Sequence, residues 1–252
     1  MAFDLSSIKQ TKGLAPPFLL VYGSAGVGKT TFGAQAPAPV FLQTEAGEGK
    51  LEINAFPLIR TFEDLLEGIA ALIENEHDYQ TCVLDSLDHA EPLIWRRVCQ
   101  DQGIDSVEKL GYGKGYVFAL DYWRELVSAL TTLRSRKGMA IILIAHTQIR
   151  KFESPDSDTF DQYQIKLHAK ASALVQESVD AVLFAKHKIL TKKEDKGFGN
   201  HRVRGIGTGE RVLACTERPG FVAKNRFGLP DEIPLGWTEF EEAITNATSK
   251  GE

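Results

Sequence analysis

The sequence predicts an α/β fold: a mainly parallel central β-sheet flanked by helices, with an antiparallel hairpin extension toward the C-terminal end. Three observations carry that expectation. Short apolar runs that read as buried strands (Phe18–Tyr22, Val40–Gln43, Thr81–Asp85, Met139–Ala145 and Ala181–Ala185) alternate with segments of helical periodicity. The first run enters Gly23-Ser24-Ala25-Gly26-Val27-Gly28-Lys29-Thr30, a full match to GxxxxGK[ST], and Thr31 to Gln35 can then open a helix. Late in the chain, Gly197, Gly199, Gly205, Gly207 and Gly209 punctuate hairpin strands.

Strand, glycine loop and helix together make a phosphate site. Glycines let successive backbone N–H groups curl around an anion, and the start of the helix adds its dipole. Lys29 is expected on the β- and γ-phosphates and the Thr30 hydroxyl on Mg²⁺, with Thr31 closing the loop. The cofactors called for are ATP and Mg²⁺.

At 252 residues, 43% hydrophobic and 25% charged, the chain suits one α/β domain or two small ones. No apolar run approaches the roughly 20 residues of a membrane span. Residues 1–17 are polar, lack the apolar core of a signal peptide, and read either as an arm packing on a neighbour, with Phe3 as its candidate anchor, or as a frayed end. Cys82, Cys99 and Cys215 have no metal spacing and read as buried reduced thiols of a cytoplasmic protein. The overall charge of −5 conceals an asymmetry: between Lys186 and Arg226, eleven Lys and Arg stand against four Asp and Glu. A basic C-terminal third on an acidic chain fits either nucleic-acid binding on one face or a solvated basic hairpin.

Taken in order, Pro37 and Pro39 stop the first helix, and Val40–Gln43 leads to Thr44-Glu45. A carboxylate just past the C-terminal end of a strand beside the phosphate loop is placed to polarise an attacking water, so Glu45 is the expected catalytic acid, with Glu48 as alternative. Thr61 and Asp64 have capping-box spacing for a packing helix. Asp85, ending the apolar Thr81–Asp85 strand, is expected to hold Mg²⁺ opposite Thr30. A helix over Leu87–Gln102 is closed by Gly103. The stretch from Leu110 to Tyr116 reads as a mobile loop whose Tyr112 and Tyr116 stack on bases while Lys114 meets a phosphate, or as a plain connector with tucked tyrosines. A helix from about Val117 to Arg136 follows, closed by Gly138. The Met139–Ala145 strand then runs into His146-Thr147-Gln148, where an amide can hydrogen-bond a γ-phosphate. Residues 151–167, with Pro155, read as a poorly ordered functional loop. Phe221 to Arg226 reads as a strand with Lys224 and Arg226 on one side, and Pro230 ends it. Trp237–Asn246 is the expected last helix, with Thr238 and Glu241 as its capping box.

These motifs, in this order, resemble the RecA-like recombinase core over about residues 14 to 235. Within that family the likeness is greatest to small bacteriophage RecA-like ATPases, which include single-strand annealing proteins; GKGY, AHTQ and AKNRFGLPD carry that flavour. His146 stands where the bacterial recombinase strand is apolar, and Arg226 where it has Lys. The resemblance implies several roles. Glu45 activates water. Asp85-Ser86 marks the Mg²⁺ strand. Gln148, within Thr147-Gln148-Ile149-Arg150, senses the γ-phosphate and leads into a DNA-binding loop bearing Arg150, Lys151 and Lys166. Lys224 and Arg226 reach a neighbouring subunit's ATP.

The expected protein is therefore an ATP-dependent, single-stranded-DNA-binding recombination protein of the annealing or pairing type. It is a ring or filament homo-oligomer in the cytoplasm, that of the bacterial host if phage-encoded, with a single-strand-binding protein as a candidate partner. A helicase motor, a non-DNA assembly ATPase and a small-molecule kinase are the alternatives. The expected domain plan is an arm at 1–17, an ATPase core at 18–236, and a C-terminal helix and tail at 237–252.

Overall fold

The computed structural model describes residue 4 and residues 15–46, 51–154, 157–195 and 201–249. Phe3, Glu48, Pro155, Gly197 and Gly199 lie outside the described residues. The elements run β1 (Phe18–Gly23), α1 (Lys29–Ala34), β2 (Pro39–Gln43), β3 (Asn54–Ala55), α2 (Phe62–Glu74), β4 (Thr81–Asp85), α3 (Leu87–Gln102), a 3₁₀ turn (Val107–Leu110), α4 (Lys114–Lys137), β5 (Ala140–Ser154), β6 (Ser157–Ile165), α5 (Ala169–Ser178), β7 (Ala181–Asp195), β8 (His201–Ala214), β9 (Lys224–Asn225), β10 (Glu232–Pro234) and α6 (Trp237–Ser249).

The sheet order is β10-β8-β7-β1-β5-β4-β2-β3, with β6 pairing β5 and β9 pairing β7. Strands β7, β1, β5, β4, β2 and β3 pair in parallel, and β8 and β10 add an antiparallel margin. In this mainly parallel α/β sheet, β5 lies between the glycine-loop strand β1 and the Asp85 strand β4. The parallel strands are apolar on both faces because helices cover both. Along β1, Phe18, Leu20 and Tyr22 enter the core under α2 to α5, while Leu19 and Val21 enter the core on the α1 and α6 side. On that second side α6 packs on α1, with Phe32 ring centroids 5.6 Å from Trp237 and 5.9 Å from Phe240.

Local chemistry sets most boundaries as expected. Thr61 and Asp64 form the capping box of α2, and Gly103 closes α3 in the left-handed conformation. Four boundaries differ. Residues 151–167 are not a loop: β5 continues through the sheet into an antiparallel hairpin with β6, pairing Ile149 with Tyr163 and Lys151 with Asp161. On one face Gln148, Arg150 and Phe152 pair with Gln164, Gln162 and Phe160, the period-2 surface a hairpin needs, and the Phe152 and Phe160 rings meet at 5.4 Å.

The expected loop at 110–116 is cut short. Gly111 and Gly113 take positive φ and let α4 begin at Lys114. Gly115 must be glycine, since a Cβ there would lie 2.3 Å from the Val107 carbonyl oxygen. The 221–226 segment contributes only the two-residue β9, so Lys224 and Arg226 do not share a strand face. Finally, α6 starts at Trp237, so Thr238 sits inside its first turn rather than at the cap; the Trp237 N–H donates to Gln35 Oε1 (3.3 Å) instead.

Candidate nucleotide site

β1 delivers the glycine loop to the C-terminal edge of the sheet. Gly23 lies so close to β7 that a Cβ would fall 2.3 Å from the Ala185 carbonyl oxygen. Gly26 (φ 74°) and Gly28 (φ 113°) turn the chain through left-handed conformations into α1. The loop from Gly23 through Ser24, Ala25, Gly26, Val27 and Gly28 thus turns directly into Lys29, Thr30 and Thr31 at the start of α1. Gly26, Gly28, Lys29, Thr30, Thr31, Glu45, Asp85, His146 and Arg211 line a cavity of about 270 Å³.

Lys29 is buried, and its Nζ donates to the carbonyls of Gly23 (3.1 Å) and Ser24 (2.9 Å). Burial lowers its pKa, while Asp85, Asp88 and Glu45 pull the other way. Thr30 Oγ1 donates to Asp85 Oδ2 at 2.7 Å. Burial raises the Asp85 pKa against the opposing Thr30 hydrogen bond, so a bound cation would relieve an unfavourable buried charge. A hydroxyl and a carboxylate oxygen this close are hard donors of the kind Mg²⁺ takes.

Thr44 places Glu45. Its N–H donates to the Asp85 carbonyl, and its hydroxyl donates to the Ser86 carbonyl (2.7 Å) and accepts from the Ser86 N–H (3.0 Å). The β2 and β4 ends are thereby clamped and Glu45 comes to the pocket wall, where its Oε2 lies 3.0 Å from His89 Nδ1. His146, opposite Gly23 in the β1–β5 register, faces the same cavity. Buried Asp88 holds it, accepting from the His146 N–H (3.0 Å) and from Nδ1 (3.0 Å). Burial opposes Asp88 ionisation, yet these His146 bonds keep its carboxyl below the usual range.

Two pocket residues escaped sequence reasoning. In the sequence His146 stands out only as a polar residue at a strand end. Arg211, on β8, donates to the Val27 carbonyl at 3.4 Å and crosses Gly28 so closely that a Cβ there would meet its Nη1 at 2.9 Å. A signal for Arg211 did exist. Leu213 and Cys215 enter the core on the α1 side, so strand alternation puts Arg211 on the same face as the loop. Reading that signal required knowing that β8 pairs with β7.

Other expected site residues lie elsewhere. Gln148 does not line the pocket; its Nε2 donates to the carbonyls of Ile165 (2.9 Å) and Leu167 (3.4 Å), because the hairpin turns it toward the exit of β6. Lys224 Nζ donates to the carbonyls of Gln176 (2.7 Å), Glu177 (2.9 Å) and Val179 (2.6 Å), closing the C-terminus of α5. Burial and then Arg226 lower the Lys224 pKa, partly countered by Asp180 and Glu177. Arg226 is exposed, as are Tyr112, Lys114, Arg150, Lys151 and Lys166. Tyr116 is not a free ring: it lies within α4, stacked on His168 at 4.1 Å.

A family model for the AAA domain matches residues 15–227. The chain belongs to the AAA domain family. The matched span covers the whole pocket, and this AAA domain is an ATPase. It is 25% identical over 141 residues to the SPbeta prophage-derived uncharacterized protein YorG of Bacillus subtilis (strain 168). That alignment takes in 54% of this chain and 42% of the relative, so the match spans less than half of YorG. Among solved structures, the RadB recombinase is similar over 90% of this chain and 91% of its own, with TM-score 0.47 and 13% identity. The flagellar accessory protein FlaH of Methanocaldococcus jannaschii is similar over 87% and 84%, with TM-score 0.44 and 10% identity. Among the described residues, no helix is long and apolar enough to cross a membrane.

Proposed function

We propose that this AAA-domain ATPase is a single-stranded-DNA-binding recombination protein of the annealing or pairing type, with ATP bound between subunits. The observation that carries the reading is the continuity of β5. Its residue His146 walls the nucleotide pocket, and the same strand runs on into a hairpin that exposes Ile149, Arg150, Lys151 and Tyr163. A change at the γ-phosphate thus has a stiff, short route to an exposed basic and aromatic surface.

In this reading the loop amides and Lys29 bind the triphosphate, and Thr30 and Asp85 hold Mg²⁺, which when bound offsets phosphate charge. Glu45 orients and takes a proton from the attacking water. Arg226, with Lys224 behind it, enters the neighbouring subunit's pocket to neutralise γ-phosphate charge. Gln148, turned away from the pocket, anchors the hairpin root to the Ile165 and Leu167 carbonyls. Tyr112 stacks on bases, while Lys114, Arg150, Lys151 and Lys166 meet DNA phosphates. ATP favours the assembled, DNA-gripping form and hydrolysis releases it.

The test is ATP hydrolysis with and without single-stranded DNA at low and moderate salt, with Lys29→Ala as the blank. Stimulation by single strands that weakens with salt is expected. Turnover indifferent to DNA, with no DNA retained by the ATP-bound protein, would overturn the reading in favour of a protein-assembly ATPase. ATP-driven unwinding of a forked duplex would make it a helicase motor.

A further inference from the structure

Beside the Thr30–Asp85 pair lies a second cluster of a different chemical character. One ligand atom from each of Glu45, His89 and His146 falls within 4.8 Å of the other two. The two rings meet edge to face at 6.0 Å, and Glu45 Oε2 is 3.0 Å from His89 Nδ1. Two imidazoles and one carboxylate are the donor set of zinc sites that keep an open fourth position. Mg²⁺, which takes oxygen, has no claim on them.

A second observation points the same way. The Asp88 side chain, 1% exposed, accepts from His146 Nδ1. An ionised carboxylate only accepts, so the proton sits on Nδ1 and the Nε2 lone pair is left to bind. This carboxylate–histidine arrangement is the support that metal-binding imidazoles carry. The His89 ring is oriented by two contacts at its Nδ1, which lies 2.8 Å from Ser86 Oγ and 3.0 Å from Glu45 Oε2.

We infer that Glu45, His89 and His146 form a site for a borderline divalent cation of the zinc class, and that its occupancy withdraws Glu45 from water activation and so arrests hydrolysis. The site itself stands on geometry; the arrest rests on the reading of Glu45 as the catalytic carboxylate. The two cations sort by hardness: Mg²⁺ goes to the hydroxyl and carboxylate of Thr30 and Asp85, the softer ion to the imidazoles.

The first readout uses nucleotide-free protein and the metal alone. Titration with Co²⁺ in excess Mg²⁺ is expected to raise a visible d–d absorption band at one equivalent, which Zn²⁺ abolishes. His89→Asn should weaken Zn²⁺ binding about tenfold or more. Its ring is 42% exposed, so the variant should fold; His146→Gln is the second variant. The second readout is inhibition of Mg-ATP turnover by equimolar Zn²⁺, reversed by chelator. Its ratio to uninhibited turnover should move toward unity in His89→Asn. Zn²⁺ binding that is undetectable, or equal in wild type and both variants, would overturn the site. Binding at the site without loss of turnover would overturn the arrest. Neither result depends on DNA, so failure here is distinguishable from failure of the recombination reading.

Discussion

Glu91, on α3 one turn beyond Asp88, is 5% exposed and accepts from the His168 N–H at 3.0 Å. Burial pushes its carboxyl from 4.5 up to about 7, the His168 hydrogen bond opposing and Asp88 adding to the rise. Its folded pKa lies above its unfolded one, so its favourable contribution is complete below the unfolded value and is lost as pH rises through about 7. Glu91→Gln, which can still accept from His168, is therefore expected to stabilise the protein by ~1–3 kcal/mol at about pH 8 and by nothing at about pH 4. Urea midpoints at the two pH values measure this; an equal midpoint shift at both would contradict it. Arg211 belongs to the same scale. Lying over Gly28 in the pocket wall, it is placed to meet nucleotide phosphates with charged hydrogen bonds. Arg211→Ala should weaken nucleotide binding roughly tenfold while leaving stability within about 0.5 kcal/mol, because the side chain is exposed. Titration of a fluorescent ATP analogue with wild-type affinity would remove Arg211 from the site.

Among the elements, the most consequential is the hairpin of β5 and β6, whose root is gripped from several sides. Gln148 bonds the Ile165 and Leu167 carbonyls, Arg150 reaches the Leu167 carbonyl (3.3 Å), Lys166 stands 3.6 Å from Asp88, and Glu91 holds His168. Two acids of α3, Asp88 and Glu91, therefore fasten the pocket wall and the hairpin exit from one helix face. The C-terminus of α5 depends in turn on Lys224. Substituting Lys224 by Ala leaves three carbonyls of the last turn without that donor, and is expected to cost ~1–2 kcal/mol in unfolding free energy as well as turnover. Arg226→Ala should lower turnover at least tenfold with stability and nucleotide affinity near wild type. Denaturation and single-site ATP binding on the two variants separate a helix cap from a cation acting on a neighbour; normal turnover by both would end the idea of a shared site.

At the scale of the molecule, a nucleotide pocket open at the edge of the sheet and an exposed Arg226 away from it suit a head-to-tail assembly, in which each interface joins one subunit's pocket to the next subunit's cation. Such an interface allows complementation. Lys29→Ala and Arg226→Ala are each expected to be inactive alone, yet mixed at equal amounts they should recover about a quarter of wild-type turnover, the share of random interfaces that keep both intact sides. No recovery on mixing pre-dissociated subunits would place each site within a single chain.

How much of this was legible in the sequence follows from the range of the interactions involved. The glycine loop and its turn into α1, the acids at or just past the ends of β2 and β4, the α2 capping box and the Gly103 stop are written in residues adjacent in the chain or in one strand–helix unit, and are legible without the rest of the fold. Glycine geometry, strand period and cap chemistry act over a few residues and are indifferent to what lies across the sheet. What only the tertiary structure decided is whatever depends on strand neighbours. Pairing with β6 turned an expected loop into a hairpin and carried Gln148 away from the pocket. The position of β5 beside β1 brought His146 opposite Gly23, and the β7–β8 pairing laid Arg211 over the loop. Packing of Val107 against Gly115 made helix of what composition suggested was loop. In the strand cases the deciding contact joins different strands of the sheet, and a pattern of types along the chain carries no register between strands.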